Sequence, residues 1–325
     1  MTAAILQVRS LRLSFPSGDG VTDILKGIEF DLNKGESLGI IGESGCGKSL
    51  TGMSLMGLQP SSAKVTGEAL LDQQNLLGLP EKKIAQLRGA KLAMVFQEPM
   101  SALNPVQTVG KQIDEVLRLH TELGTKQRRE RVQSLMDMVK LDPARVSPKS
   151  YPHLLSGGQR QRVMIAMALA GEPDILIADE PSTALDVSVQ AEILDLLDEL
   201  IVMKGKSLIL ITHDLGVVAR ACDRVLVMYS GAIVETGHVD QILETPQHPY
   251  TQALMKSLPS QNNDTATKRL FTIQGQVPDP TNRPKGCAYR PRCSFATNAC
   301  LKEPALAGAY GGTRVACFHP IGSGS

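Results

Sequence analysis

The sequence predicts an α/β fold built on a parallel sheet covered by helices on both faces, with a small irregular Cys-rich region at its end. Three observations carry this. An apolar run at residues 37–41 leads into a glycine-rich stretch, Gly42-Glu43-Ser44-Gly45-Cys46-Gly47-Lys48-Ser49, and then into a helical pattern over 49–58. The runs at 175–178 and 208–211 are apolar at every position, as strands buried on both faces must be. Each ends abruptly in polar residues, Asp179-Glu180 and Thr212-His213-Asp214, with helical spacing in the intervals.

The remaining elements follow in order. Residues 5–15 alternate apolar and polar and read as an edge-type antiparallel strand, followed by a turn at 16–20. A second strand spans 24–32 and ends in the turn Asn33-Lys34-Gly35. Residues 65–71 form a short strand, and 91–96 an apolar run that stops at Gln97-Glu98-Pro99. Residues 101–155 carry helical spacing, clearest at 109–119 and 131–139, and read as a helical insertion. Leu155-Ser156-Gly157-Gly158-Gln159 opens a helix through Ala170. A hairpin is expected over 225–235 around Ser230-Gly231. From Thr245 the composition shifts to Pro, Gln, Asn and Asp, 257–268 reads as a linker, and 269–320 is irregular.

A chain of 325 residues suffices for one full α/β domain and a smaller unit. It holds 34 basic and 33 acidic side chains, a balance that gives no electrostatic case for nucleic acid. Aromatics are 3% and Trp is absent, so stacking platforms for single strands are not expected either. No apolar run approaches the roughly 18 residues of a membrane span, and no secretory signal is visible. A cytosolic protein, able to dock on a membrane partner, is the expectation.

Residues 42–49 fit the G-x-x-x-x-G-K-[ST] phosphate-loop pattern in its strand–loop–helix setting. The glycines let successive N–H groups face one hollow, and the following helix adds its positive end. Lys48 would reach the β- and γ-phosphates, and the Ser49 hydroxyl would hold Mg²⁺. Asp179-Glu180 stands at the carboxyl end of a buried strand, where ligands bind in open α/β sheets. An aspartate there can hold Mg²⁺ through water, and the glutamate can polarise an attacking water as general base. A helix N-cap is the plain alternative, which the phosphate loop and the polar groups Gln97 and His213 at neighbouring strand ends weaken.

Together these residues resemble the nucleotide-binding subunit of an ATP-binding cassette (ABC) transporter. The resemblance rests on residues 42–49, Gln97, Leu155-Ser156-Gly157-Gly158-Gln159, 175–180, Ala184-Leu185-Asp186 and His213, and covers roughly residues 5–240. It implies a P-loop NTPase (RecA-like) core with an antiparallel β subdomain and an α-helical signature subdomain. Residues 1–255 would form the ATPase domain, with the helical subdomain at about 99–165. Residues 256–325 would form the C-terminal extension.

Carried over by position, the resemblance assigns ATP to Gly42, Ser44, Gly45, Cys46, Gly47, Lys48 and Ser49, with Phe15 stacking on adenine. Ser49, Gln97 and Asp179 would serve Mg²⁺, Glu180 the attacking water and His213 the γ-phosphate. Gln97 would also relay to the membrane partner. Ser156, Gly157, Gly158 and Gln159 would cap the ATP of a second domain packed head to tail, with Asp186 in a loop crossing that interface. DNA-repair or translation ATPases of the superfamily, which carry long insertions or two cassettes, fit less well. Exporters and non-hydrolytic subunits fit less well too.

Two further stretches, Glu98-Pro99-Met100-Ser101-Ala102-Leu103-Asn104-Pro105 and Pro246-Gln247-His248-Pro249-Tyr250-Thr251, resemble the dipeptide/oligopeptide/nickel importer branch. Taken singly, each is a Pro-rich loop. The branch implies a heterodimer with a second homologous ATPase subunit, two membrane permeases and an extracytoplasmic peptide-binding protein. It places the chain on the cytoplasmic face of the bacterial inner membrane. Dipeptides lead among its substrates, with longer peptides, nickel complexes, glutathione and antimicrobial peptides open.

Four of the six cysteines, Cys287, Cys293, Cys300 and Cys317, crowd near the C-terminus. Four thiolates there can ligate a [4Fe–4S] cluster or Zn²⁺. Similar tails in this branch resemble iron–sulfur sites, which ranks the cluster above zinc. Arg290 and Arg292 would offset its charge. Cys222 reads as a small buried hydrophobe.

Overall fold

The computed structural model describes residues 4–18, 20–181, 186–257, 272–308 and 312–322. The chain opens with β1 (Ala4–Ser17), β2 (Gly20–Asn33) and β3 (Ser37–Ile41), followed by α1 (Lys48–Leu55), β4 (Lys64–Leu71), β5 (Gln74–Asn75), α2 (Glu81–Leu87) and β6 (Leu92–Val95). A helical stretch comes next: α3 (Pro99–Ala102), α4 (Val109–His120), α5 (Thr125–Met138) and α6 (Gly157–Ala170). Then come β7 (Ile175–Asp179), α7 (Val187–Lys204), β8 (Ser207–Ile211), α8 (Leu215–Ala221), β9 (Arg224–Tyr229), β10 (Ala232–His238), α9 (Val239–Glu244) and α10 (Pro249–Lys256). The last segment is mostly irregular, with the two-residue strands β11 (Ala307–Gly308) and β12 (Arg314–Val315).

The main sheet has the order β11-β12-β10-β9-β3-β8-β7-β6, parallel from β9 through β6. Its strands are buried on both faces because both faces are covered. In β8, Ile209 and Ile211 point toward β1 and β2, whereas Leu208 and Leu210 face α6 and α7. Burying such side chains stabilises by about 1.5–3 kcal/mol each.

The second sheet has the order β2-β1-β4-β5 and is antiparallel. Its apolar face, including Leu6, Val8, Leu25 and Phe30, packs on the main sheet. The edge assignment for the first strand is corrected here. β1 is interior, paired with β2 on one side and β4 on the other. Alternation reports which face is buried and says nothing about how many neighbours a strand has. The hairpin is also tighter than expected, with Pro16 opposite Val21 and Ser17 opposite Gly20.

α4 buries Val109, Ile113 and Leu117, spaced four apart, against α5 and α6. An Arg128–Asp114 ion pair at 2.8 Å joins α5 to α4.

The stretch 246–251, which taken singly is a Pro-rich loop, leads instead into the helix α10 at Pro249. Pro249 takes the first helical position, which needs no N–H donor. The buried His248 caps it, with Nδ1 accepting from Tyr250 N–H at 3.0 Å. The wholly buried Glu235 accepts from the N–H groups of Gln247 (2.7 Å) and His248 (3.0 Å). The expected linker lies almost entirely outside the described residues. Beyond it the chain returns to the sheet, where β12 pairs with β10.

Burial pushes the His248 imidazole from 6.5 down to about 3, against a weaker opposing hydrogen bond to the Ala316 backbone. A ring held neutral by the fold gives stability that is complete above about pH 6.5 and is lost as pH falls toward about 3. Thermal unfolding should therefore show a Tm that drops through this window more steeply than in His248→Gln. Parallel Tm profiles would exclude His248 as the source.

Candidate functional site

The site lies at the carboxyl ends of β3, β7 and β8. β3 runs directly into the loop 42–47, and α1 starts at Lys48, one residue earlier than the helical pattern suggests. Two glycines fix the loop's path. Gly42 has φ 151°, and a Cβ there would stand 2.2 Å from the Met228 carbonyl oxygen. Gly47 caps α1 at φ 104°, with the Leu25 side chain 2.6 Å from where its Cβ would be. Both positions require a residue without a side chain. Lys48 is buried, and its ammonium donates to the carbonyl oxygens of Gly42 (2.8 Å) and Glu43 (3.2 Å). Ser44 and Gly45 are exposed at the loop's crest. Cys46 is buried, and desolvation pushes its thiol up.

The Ser49 hydroxyl donates to Asp179 Oδ1 at 3.0 Å. Asp179 is only 3% exposed. Its burial pushes the carboxyl up, and the Glu180 charge adds to this. The Ser49 hydrogen bond and the Lys48 charge act in the other direction.

Glu180 leaves β7 with φ 45°, a left-handed backbone unusual for glutamate. Such a conformation costs on the order of 1–3 kcal/mol and needs support from its surroundings. The support is visible: Glu180 N–H donates to the Ile211 carbonyl at 2.8 Å, tying the turn to the end of β8. The bend brings the carboxylate to Gln97 Nε2 at 3.0 Å and His213 Nδ1 at 3.2 Å. Strands β6, β7 and β8 thus deliver Gln97, Glu180 and His213 to one point. Asp214 serves another purpose, capping α8 through Gly216 and Val217 N–H.

Other expected residues stand apart from this cluster. Phe15 is half-buried at the end of β1 and packs against the core between the two sheets. Ser156 caps α6, and its hydrogen bonds with Gln159 run reciprocally between side chain and backbone. Gly157 and Gly158 form the first turn of α6, where a Cβ on Gly158 would meet Val189 of α7 at 2.6 Å. Asp186 is exposed, and its carbonyl accepts from Gln190 N–H at 2.8 Å. Ala184 and Leu185 lie outside the described residues.

Cys287, Cys293, Cys300 and Cys317 all line one small cavity of about 10 Å³, together with His248, Tyr289 and Arg290. Burial pushes the thiols of Cys287 and Cys293 up, and that of Cys317 up to about 11. Backbone N–H groups point at Cys287 and Cys293, and His319 N–H donates to Cys317 Sγ at 3.3 Å. Among the described residues, no three His, Cys, Asp or Glu side chains are grouped closely enough to hold a metal ion.

Arg290 faces these thiols, but Arg292 does not belong to them as expected. Its guanidinium turns away to the Glu43 carboxylate in the phosphate loop, at 3.0 and 3.1 Å. Sequence reasoning missed this pair because Glu43 occupies a variable position of the loop motif and the two residues are 249 apart.

Comparison with known proteins agrees with this geometry. Residues 25–183 match the family model described as "ABC transporter", and residues 234–300 the one described as "Oligopeptide/dipeptide transporter, C-terminal region". The oligopeptide transport ATP-binding protein OppD of Salmonella typhimurium is 44% identical, over 98% of this chain and 94% of its own. The oligopeptide transport ATP-binding protein AppD of Bacillus subtilis is 44% identical over 97% of both chains. Among solved structures, the ATP-binding cassette MJ0796, a dimer in a post-hydrolysis state bound to ADP and Pi, is 28% identical. It superposes with a TM-score of 0.65 over 72% of this chain and 98% of its own. The chain therefore belongs to the ABC transporter ATPase family.

Proposed function

We propose that this chain binds and hydrolyses MgATP to energise import of di- and oligopeptides through a membrane transporter. The observation that carries this is the Glu180 carboxylate, held between Gln97 and His213 beside the Ser49–Asp179 pair. In this reading Gly42, Ser44, Gly45, Cys46 and Gly47, with the Lys48 ammonium, hold the triphosphate, and Phe15 supports the adenine. The Ser49 hydroxyl and the Asp179 carboxylate, two oxygen donors 3.0 Å apart, suit Mg²⁺, a cation that favours oxygen ligands. Bound there, Mg²⁺ supplies positive charge to the phosphate oxygens.

Glu180 orients a water and takes its proton as the water oxygen bonds to the γ-phosphorus. The bond to the bridging oxygen breaks, and ADP and phosphate leave. Gln97 and His213 fix the carboxylate, and His213, more than half exposed, is placed to meet the γ-phosphate.

The signature Ser156-Gly157-Gly158-Gln159 opens a 14-residue helix at an exposed cap. It is an anion site without a ligand from its own loop, and it suits the nucleotide of a second, homologous ATPase subunit. Asp186 would lie at that interface. A groove of about 240 Å³ is lined by Met56, Met94, Phe96, Val116, Met164 and Met167. Methionine side chains adapt to a helix pressed into them, which supports contact with a permease. No helix among the described residues is long and apolar enough to cross a membrane, so two permeases and an extracytoplasmic peptide-binding protein would complete the importer. The chain would then sit on the cytoplasmic face of the membrane. Residues 1–255 serve in this reading as the ATPase domain and 256–325 as the importer extension.

The four thiols around one cavity fit a [4Fe–4S] cluster in kind. Four cysteines on a common space, with Arg290 beside them as counter-charge, support ranking a cluster above Zn²⁺. Ligation would take the protons from these thiols. The cluster's part in this reading is structural.

Two measurements test these readings. Glu180→Gln should retain ATP binding and slow turnover on the order of 10²–10⁴-fold in the assembled transporter. Turnover at the wild-type rate would remove Glu180 from its role. Protein purified anaerobically should contain iron and acid-labile sulfide, reduced by Cys293→Ser. A colourless protein with stoichiometric zinc would reverse the ranking.

A further inference from the structure

The C-terminal extension reaches the phosphate loop itself. Arg292 extends from the segment carrying Cys293, is 4% exposed, and grips both carboxylate oxygens of Glu43 at 3.0 and 3.1 Å. Its Nε donates to the Gln274 carbonyl at 2.9 Å, and the guanidinium lies 5.8 Å from the ring centroids of both Tyr229 and Tyr289. The arginine is thus oriented from three sides.

Glu43 is held just as firmly. Its N–H donates to the Tyr250 hydroxyl at 2.8 Å, and its carbonyl accepts from Lys48 Nζ and Cys46 N–H. A second arginine of the extension, Arg283, donates to the Ser230 hydroxyl at 2.9 Å and to the carbonyls of Asp23 and Ile24. The adjoining Gly231 N–H donates to the Cys46 carbonyl at 3.0 Å. The extension therefore braces the loop directly at Glu43, and at Cys46 through the β9–β10 turn that Arg283 holds.

A carboxylate inside a loop that must hold a triphosphate is electrostatically adverse. Its charge repels the ligand, and a mobile side chain could fold toward the amides and compete for them. We propose that Arg292 is a positioning residue for nucleotide binding: it neutralises Glu43 and holds its carboxylate away from the phosphate-binding amides. ATP affinity then depends on the docked extension. This rests on the ATP-binding reading above.

The test uses the full chain and Mg²⁺ with AMPPNP, a non-hydrolysable ATP analogue, measured by titration calorimetry at two salt concentrations. Arg292→Ala should weaken binding about tenfold, with a larger loss at low salt, where screening is weaker. In the assembled transporter it should raise KM by a similar factor and leave kcat within about twofold. Arg292→Lys, which keeps the charge and loses the Nε hydrogen bond to the Gln274 carbonyl, should recover part of the loss.

Glu43→Gln leaves the extension intact and should bind at least as tightly as wild type. The double variant Arg292→Ala/Glu43→Gln should recover most of the loss, because the repelling charge is gone. Arg292→Ala binding like wild type would overturn the proposal. So would a double variant as weak as Arg292→Ala, since the loss would then come from a disturbed extension. Wild-type protein that fails to bind the analogue would instead overturn the ATP-binding reading beneath it.

Discussion

The site depends on a carboxylate kept where water hardly reaches. Asp179 ends a strand buried on both faces, so its charge must be supported from within the protein. Ser49 and Lys48 provide that support, and both come from the first turn of α1. Placing that turn over β7 requires the loop before it to pass under Met228 and against Leu25, which only glycines at 42 and 47 allow. The glycine spacing and the helix start both serve that placement. Glu180, one residue further on, takes up the backbone strain that turns the chain out of the sheet and its carboxylate toward Gln97 and His213.

Much of this was legible in the sequence, for a physical reason. A strand covered on both faces has to be apolar at each position, so β3, β7 and β8 stood out without any knowledge of their neighbours. The phosphate loop was legible because its chemistry depends on local backbone geometry. Interactions between distant segments were not. The interior place of β1 depends on pairing with β4, about sixty residues away, which no pattern within β1 records. The helix α10 was obscured by prolines, although Pro249 occupies the one helical position that suits it. Arg292 was assigned by proximity to the nearest cysteine, whereas its partner lies at the opposite end of the chain.

Two kinds of charge management appear in the molecule. Around the phosphate loop, acidic groups have partners aimed at them: Glu43 has Arg292, and Asp179, although burial pushes its carboxyl up, has Ser49 and Lys48. Around the extension, burial acts in the same direction, toward neutrality, with weaker opposition. His248 stays unprotonated, and the carboxyl of Glu235 and the thiols of Cys287, Cys293 and Cys317 are pushed up. The first arrangement suits a site that receives an anion. The second suits a packed joint, whose ionisable groups carry charge only when something binds or the pH changes.

The pairing of β12 with β10 has one more effect. Without it, β10 would offer a row of bare amide and carbonyl groups along the flank of the main sheet, a template for another chain's strand. The returning tail occupies that row at Glu235 and Thr236, and the sheet then ends in the two-residue β11, too short to recruit a neighbour. By pairing there, the extension turns an open flank of the sheet into a closed one and removes a site of self-association.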